Sequence, residues 1–194
     1  GGHARSCVDV IEKNNIYDIV GIVDKDTNIN TDCLGYPTIG TDNDLERLRN
    51  KYDYAFLTIG QIGFSEKRLK LFNLLINYDF NLPVIVSPLA YVSKSSSVGQ
   101  GTIIMHHALV NANAKIGKNC IINSKTLIEH DIFVGNHCHI STSATLNGGV
   151  HIGEQTFVGS GAVVRESIKI GSKCIISAGE VIMKDIPNNS KVKN

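Results

Sequence analysis

A histidine followed by an acid is the strongest candidate for chemistry in this 194-residue chain. His130 precedes Asp131, and Gly148 lies 18 positions after the histidine. An imidazole can remove a proton from an attacking amine or hydroxyl group, and a neighbouring carboxylate can orient the ring. A glycine N–H group could face the oxyanion that develops during acyl transfer. The pair therefore predicts a general base for acyl transfer, whereas the competing interpretation is a solvated surface pair.

A zinc site is the other interpretation of the histidines. Three of them, His130, His137 and His139, lie close together in the sequence. Alternate residues of a strand point to opposite faces, and no pair here has a recognisable ligand spacing. The sequence therefore predicts no metal, and a metal-dependent hydratase would be recognised by bound zinc.

A six-residue repeat determines how these side chains are positioned. From Val92 to Ile182 every sixth residue is aliphatic, the residue four places later is mostly small, and glycine often follows the aliphatic residue. A period of six does not match the 3.6 residues of a helical turn, but it fits a short strand and a tight turn. Three such units close a coil of about 18 residues, with Gly or Asn supplying the turn dihedrals. The repeat predicts a parallel β-helix of about five coils.

The cysteines follow the same repeat. Cys120, Cys138 and Cys174 are separated by multiples of 18 residues and fall in one inward column. The chain has five cysteines and no CxxC pair, which is typical of reduced thiols in a cytosolic protein. We therefore predict packed core thiols and a cytoplasmic location.

The first 84 residues have a different pattern. Helical spacing covers residues 6–13, 44–48 and 65–78, and short apolar strands are predicted at 19–23 and 54–59. Strands that alternate with helices predict a small parallel α/β unit of the Rossmann type. We therefore divide the chain into a domain at 1–84 and a β-helix at 85–194. No strand precedes the first predicted helix, so we expect the first strand of the unit to be missing from this sequence.

Ligands of parallel α/β sheets bind at the carboxyl ends of the strands. Glycines before a helix N-terminus suit a diphosphate, and an acid at a strand end suits a ribose or a base edge. The candidates at these positions are Gly2, His3, Asp24, Gly60 and Gln61.

Composition argues against two classes of partner. The net charge is +1 and there is no tryptophan, so nothing favours nucleic-acid binding. No apolar run reaches the roughly 18–20 residues that span a bilayer. We therefore expect neither a nucleic-acid partner nor a membrane.

The whole chain resembles the NeuD/PglD family of sialic-acid and sugar-nucleotide acetyltransferases. The resemblance is carried by Gly-Gly-His-Ala-Arg-Ser at 1–6, Ile-Val-Asp at 22–24, Thr-Ile-Gly at 58–60, Ile-Asn-Ser at 122–124, Ile-Glu-His-Asp at 128–131, Gly-Asn-His-Cys-His-Ile-Ser at 135–141 and Lys-Asp-Ile-Pro at 184–187. It implies a left-handed β-helix and a homotrimer whose active sites lie between neighbouring β-helices, with acetyl-CoA as the acetyl donor.

The resemblance also implies roles for individual residues. His130 matches the general base, Asp131 its orienting acid, and Asn123 a position near the acceptor amine. Acetyl-CoA contacts are implied for His139, Gly148, Gly159, Ser160 and Ala178. The nucleotide-sugar pocket is implied for Gly2, His3, Asp24, Lys25, Gly60 and Gln61.

Together these features predict direct N-acetylation of a nucleotide-linked amino sugar, of the UDP-4-amino-4,6-dideoxyhexose type. Two alternatives stay open at this point. One is O-acetylation of a sialic acid on the same fold, since the sequence does not specify the attacking atom. The other is a non-catalytic β-helix that binds or scaffolds, which would have no affinity for acetyl-CoA.

Overall fold

The computed structural model describes residues 1–25, 33–63 and 65–193. The N-terminal part begins with α1 (Gly2–Asn14), followed by β1 (Ile22–Val23) and β2 (Thr38–Gly40), which pair in parallel. A single 3-10 turn (Asp42–Asp44) leads into α2 (Leu45–Arg49), and α3 (Glu66–Asn77) completes this part.

The remaining chain winds into a prism of short parallel strands with three faces. Face 1 contains Ile85–Val86, Ile103–Ile104, Ile121–Ile122, His139–Ile140, Phe157–Val158, Ile175–Ile176 and Lys191–Val192. Face 2 contains Tyr91–Val92, Leu109–Val110, Leu127–Ile128, Thr145–Leu146, Val163–Val164 and Val181–Ile182. Face 3 contains Ser97–Val98, Lys115–Ile116, Phe133–Val134, His151–Ile152 and Lys169–Ile170.

The predicted repeat is confirmed in the register of the strands. Ile122 pairs with Ile140 and Ile128 with Leu146, so one coil takes 18 residues. The last coil is two residues shorter, because Ile176 pairs with Val192. A side chain therefore lies directly above the residue 18 positions before it over most of the prism.

The aliphatic column forms the core of the prism. Ile128, Leu146 and Val164 are completely buried, and the other members pack in the same cluster. The predicted core thiols are also confirmed, since Cys120, Cys138 and Cys174 are free and buried. Each of these thiols also donates a hydrogen bond to a backbone carbonyl, of Gly135, Gly153 and Pro187 respectively. Buried backbone carbonyls that would otherwise lack a donor are satisfied in this way.

The prediction that glycine supplies turn dihedrals holds at Gly101, Gly149, Gly161 and Gly179 and was wrong for the glycines that follow the aliphatic residue. Every sixth residue from Gly101 to Gly179 has a positive φ, and most of these corner positions hold residues other than glycine. Asn113 and Asn119 do supply such dihedrals, as predicted. The glycines that follow the aliphatic residue have ordinary φ values. A Cβ on Gly153 would instead lie 2.4 Å from the backbone nitrogen of Ser172, so close stacking of coils requires glycine there.

The N-terminal part matches its helix predictions better than its strand predictions. The helices predicted at 6–13, 44–48 and 65–78 are all present, shifted by a few residues at their ends. The strand predicted at 54–59 was wrong, since only Tyr54 forms a bridge, with Asn81. This segment and residues 16–23 both line a largely apolar cavity of about 510 Å³. No strand ladder forms at 55–59 in the described chain; Ala55 N–H donates to the Asn81 carbonyl, and the carbonyls of Leu57 and Ile59 accept from Arg68.

The N-terminal part packs on face 1. Cys7, Val10 and Ile11 of α1 bury their side chains against Ile103 and Ile121 of the β-helix. A polar contact supports the same interface: His106 lies 2.6 Å from both Ser87 Oγ and Asp9 Oδ2. Face 1 is thereby covered over its first coils, while the outward side chains of faces 2 and 3 stay partly or fully exposed.

None of the helices that can be described is both long and apolar enough to cross a bilayer.

Candidate active site

His130 projects from the corner between faces 2 and 3. Its strand ends at Ile128, and the turn that follows places the imidazole outside the prism with 61% of the side chain exposed. Its Nδ1 lies 2.9 Å from Asp131 Oδ2. This contact fits the tautomer in which Nδ1–H donates to the carboxylate. Nε2 is then the atom that can accept a proton from a substrate.

Asp131 occupies a corner position with φ +58°. A hydrogen bond from Asn113 lowers the pKa of this carboxyl, and the hydrogen bond from His130 lowers it further. The carboxylate therefore stays ionised at neutral pH and can orient the ring.

Gly148 lies one coil above His130, as the spacing predicted. A Cβ on this glycine would lie 2.7 Å from both Cε1 and Nε2 of His130, so the ring rests against bare backbone. The Gly148 N–H donates to no group in the described part of the chain. At the equivalent position of the same corner two coils below, the Ala112 N–H donates to Asn111 Oδ1 at 2.8 Å. The sites differ because Asn147 turns its side-chain amide to the Val164 carbonyl, which leaves the Gly148 donor open.

A second polar group lies where the N-terminal part meets face 1. His139 is buried there, with 5% of its surface exposed. Its Nδ1–H donates to the backbone carbonyl of Gln61, and its Nε2 lies 3.2 Å from Asn123 Nδ2. Burial lowers the pKa of His139 to about 4. We refer to His3, Gly60, Gln61, Asn123 and His139 as the junction group.

His3 joins this group from the first turn of α1. A Cβ placed on Gly60 would lie 3.2 Å from the Cβ of His3. The absence of a side chain at Gly60 therefore allows this segment to pass close to α1. Burial lowers the pKa of His3 to about 4, and the charges of Arg68 and His139 act in the same direction. Both histidines are therefore neutral at pH 7, so the junction group can offer uncharged hydrogen-bonding nitrogens.

Arg68 is a buried cation near this group that the sequence did not single out. It is 1% exposed and donates to the carbonyls of Leu57 and Ile59 at 3.2 Å and 2.6 Å. Burial lowers its pKa to about 10, so it remains charged at neutral pH. These contacts hold the segment that leads to Gly60 and Gln61. A charged residue on the otherwise apolar face of the helix at 65–78 was the available signal.

The other residues expected at the nucleotide pocket lie at the surface. Asp24 and Lys25 follow β1 and are exposed, and the Lys25 N–H donates to Asp24 Oδ1 at 2.7 Å. Gly2 begins α1 and a Cβ there would meet nothing within 4 Å. No hydrogen bond joins these three residues to the junction group in the described ranges.

The residues expected along the pantetheine arm lie on the corner between faces 1 and 2. Ser160 Oγ is 2.9 Å from Ser141 Oγ, one coil below. A Cβ on Gly159 would lie 2.5 Å from the backbone nitrogen of Ala178. Stacking of the coils therefore accounts for this glycine without any ligand.

Apart from Gly2, Asp24 and Lys25, the candidate residues thus form two groups on one chain. His130, Asp131 and Gly148 lie at the corner between faces 2 and 3. The junction group and Ser160 lie on face 1 and at the corner between faces 1 and 2. The whole of face 2 separates them, so a single chain does not bring the predicted base to the predicted acceptor pocket.

The described residues contain no group of three or more His, Cys, Asp or Glu side chains that could hold a metal ion. His137, considered above as a ligand, has its Nδ1 2.9 Å from Asn119 Nδ2 and its ring edge-on to Phe72.

Comparison with known proteins adds a family to this geometry. The model of the PglD N-terminal domain matches residues 1–75, and that of the hexapeptide repeat of succinyl-transferase matches residues 149–184. None of the curated proteins compared by sequence gives a significant match.

Solved structures are similar over almost the whole chain. PerB from Caulobacter crescentus, in complex with CoA and GDP-perosamine, has 33% identity and a TM-score of 0.89, covering 97% of this chain and 87% of its own. The acetyltransferase domain of PglB from Neisseria gonorrhoeae, in complex with acetyl coenzyme A, has 30% identity and a TM-score of 0.91, covering 100% and 92%. WeeI from Acinetobacter baumannii shares the fold at 23% identity, with a TM-score of 0.80 and coverage of 95% and 88%.

Proposed function

The chain belongs to the PglD/NeuD-type family of sugar N-acetyltransferases, with the left-handed β-helix of that family, and from this premise we propose how it acetylates a nucleotide-linked amino sugar. It is an acetyl-CoA-dependent acetyltransferase. The observation that carries the proposal for its catalytic centre is the His130–Asp131 pair lying against the bare backbone of Gly148.

His130 is the proposed general base. With Nδ1–H donating to Asp131, the free Nε2 accepts the proton of the acceptor amine as its nitrogen attacks the thioester carbon. The new C–N bond forms, the C–S bond breaks, and the CoA sulfur leaves with the proton returned by the imidazolium. General-base assistance of this kind contributes about 10²–10⁴ in rate. The ionised Asp131 stabilises the imidazolium between the two proton transfers.

Gly148 is the proposed oxyanion donor. Its N–H group is open, and the lack of a side chain leaves space beside Nε2 of His130. A backbone donor aimed at the thioester oxygen stabilises the negative charge of the tetrahedral intermediate, and such donors contribute about 10²–10³ in rate.

The domain at 1–84 is the proposed holder of the nucleotide. The N-terminus of α1, with Gly2 and His3, offers N–H groups to a diphosphate. Gly60 and Gln61 lie beside it, and Asn123 and His139 complete the pocket from the β-helix. The neutral state of both junction histidines suits hydrogen bonds to sugar hydroxyl groups. We assign Asp24 and Lys25 to the outer, nucleoside end of this pocket.

A homotrimer is the proposed assembly, because it resolves the separation of the two groups. Face 2 presents a mostly apolar outward column: Tyr91, Leu109, Leu127, Thr145, Val163 and Val181. Packing this face around a rotation axis places the corner of one copy that carries Ser160 beside the corner of the next that carries His130. Such a head-to-tail contact closes into a ring. Acetyl-CoA then lies in the groove between copies, along Gly159, Ser160 and Ala178.

A thiol-release assay with acetyl-CoA tests the proposed acceptor. The panel contains UDP- and GDP-linked 4-amino sugars, free sialic acid and CMP-sialic acid, since PerB binds GDP-perosamine and the sequence favoured UDP. We expect release with a nucleotide-linked amino sugar alone, which also identifies the nucleobase. Release with sialic acid alone would overturn N-acetylation. No release with any acceptor would exclude this substrate class.

A further inference from the structure

A polar contact runs beneath the proposed catalytic pair. Asn113 lies one coil below Asp131, at a corner with φ +59°. Its Nδ2 donates to Asp131 Oδ1 at 2.6 Å, while Asp131 Oδ2 accepts from His130 at 2.9 Å. Each carboxylate oxygen therefore has its own donor, and the plane of the carboxylate is fixed from two sides.

We propose that Asn113 is a positioning residue, whose amide fixes the carboxylate of Asp131 and thereby the ring of His130 over Gly148. This inference rests on the proposed role of His130 as general base. Asn113 itself does not touch the reacting atoms, so it acts through Asp131.

The exposure of the pair explains why a third residue is needed. The side chains of His130 and Asp131 are 61% and 58% exposed, so water competes for their mutual hydrogen bond and both can rotate. Asn113 is exposed as well, but its own position is fixed by a backbone contact to the coil below. The Asn113 N–H donates to Ser95 Oγ at 3.2 Å, and Ser95 Oγ lies 3.0 Å from the hydroxyl of Ser93, which is buried. The chain of contacts therefore ties the exposed base to the body of the prism.

The same two coils contain a second amide–carboxylate hydrogen bond, which does not support His130. Asn111 Nδ2 donates to Glu129 Oε2 at 2.8 Å, again across 18 residues. Glu129 has no hydrogen bond to His130 in the described residues. Removing Asn111 therefore takes away an equal amide–carboxylate contact next to the site and leaves the base untouched.

Few charged groups surround Asp131, so the effect of a second carboxylate at residue 113 on its protonation can be interpreted. His130 is the titratable group that acts on its carboxyl, the coil below presents the uncharged Asn113, and the coil above presents Gly149 at the equivalent corner. A second carboxylate placed at residue 113 would lie against Asp131. Two carboxylates that share a site cannot both ionise freely, and one of them takes up a proton as pH falls.

Three variants test the proposal through steady-state kinetics over a range of pH. We expect Asn113→Ala to lower kcat about fivefold with unchanged KM for both substrates, because a hydrogen bond to a charged group is lost. We expect Asn113→Asp to lose more at neutral pH and to recover relative to Asn113→Ala as pH falls, because a shared proton restores a donor to Asp131. We expect Asn111→Ala to match the wild type.

Equal kcat for Asn113→Ala and Asn111→Ala would overturn the proposal, as would a loss in Asn113→Asp that does not change with pH. Urea unfolding and CoA binding of each variant separate positioning from misfolding. The kinetics of His130→Ala separate this inference from the proposed function. If His130→Ala keeps its kcat, the base assignment fails; if it is inactive while Asn113→Ala is unaffected, only the positioning role fails.

Discussion

At the residue scale, the proposed chemistry rests on a short sequence signal. His130, Asp131 and Gly148 are related by adjacency and by one 18-residue coil, and the structure places the ring against the glycine as that spacing predicted. The contribution of Asn113 was not predicted, although it lies one coil below Asp131. Counting one coil of 18 residues back from Asp131 leads to Asn113, whereas the sequence analysis counted coils only from His130.

His130→Ala tests the base directly. We expect kcat to fall by about 10²–10⁴ while acetyl-CoA binding, measured by calorimetry, and thermal stability are retained, because the side chain is exposed and supports no core contact. The matched control is His151→Ala, whose ring stacks on Phe133 on face 3 at 4.6 Å. Equal kcat in the two variants would contradict the role of His130.

At the element scale, periodicity was sufficient for the β-helix and insufficient for the part before it. The inward column from Val92 to Ile182 fixes strand positions and register because every coil repeats the same environment. The glycines that follow the aliphatic residue were misread, since a sequence cannot distinguish a glycine that needs a positive φ from one that meets the next coil. The segment at 54–59 has the composition of a strand, but a strand also requires a partner, and composition does not supply one.

The junction between α1 and face 1 predicts a specific dependence of stability on pH. In the unfolded chain a histidine takes up a proton near its ordinary pKa of about 6.5, whereas burial lowers the pKa of His139 in the folded protein to about 4. The unfolded state therefore binds more protons as pH falls from 6.5 to 4, and the free energy of unfolding decreases over that window by about 3 kcal/mol for this group. His3, with its pKa also lowered to about 4, acts in the same direction.

Urea unfolding of His139→Gln at about pH 7.5 and about pH 5 measures this dependence. The glutamine can still donate to the Gln61 carbonyl but does not titrate, so we expect a smaller loss of stability on acidification than in the wild type. His151→Gln, which replaces an exposed histidine, should retain the wild-type dependence. An unchanged dependence in His139→Gln would show that the buried histidine does not contribute.

At the scale of the whole molecule, the important feature is the separation of the two residue groups by face 2. No single-chain pattern predicts it, because it depends on which faces of the prism the N-terminal part covers. The resemblance implied sites between subunits, and the apolar outward column of face 2 gives that assembly a physical basis. The apolar column can be found in the sequence. That it forms a contact between copies can be inferred only once the structure shows that face 1 is covered and face 2 is not.

Val163→Lys tests the assembly. The side chain is 36% exposed in one chain, and we expect a charge there to prevent face 2 from packing and to dissociate the trimer, as measured by light scattering. Acetyl transfer should be lost together with the trimer. Phe133→Lys on face 3, where the native side chain is 42% exposed, is the control and should stay trimeric. A fully active monomer would contradict the proposed site between copies.

Mixed trimers test the central claim, that the His130 corner of one copy and the junction group of the next form one acetyltransferase site. Two variants that we expect to be inactive on their own, His130→Ala and His3→Ala, are co-expressed with different tags, and the mixed trimers are purified and assayed for acetyl transfer to the nucleotide-linked amino sugar. We predict that activity returns, because some sites in a mixed trimer combine an intact base with an intact junction from the neighbouring copy. Mixed trimers as inactive as their parents would contradict the claim, since both residues would then serve a site within one chain.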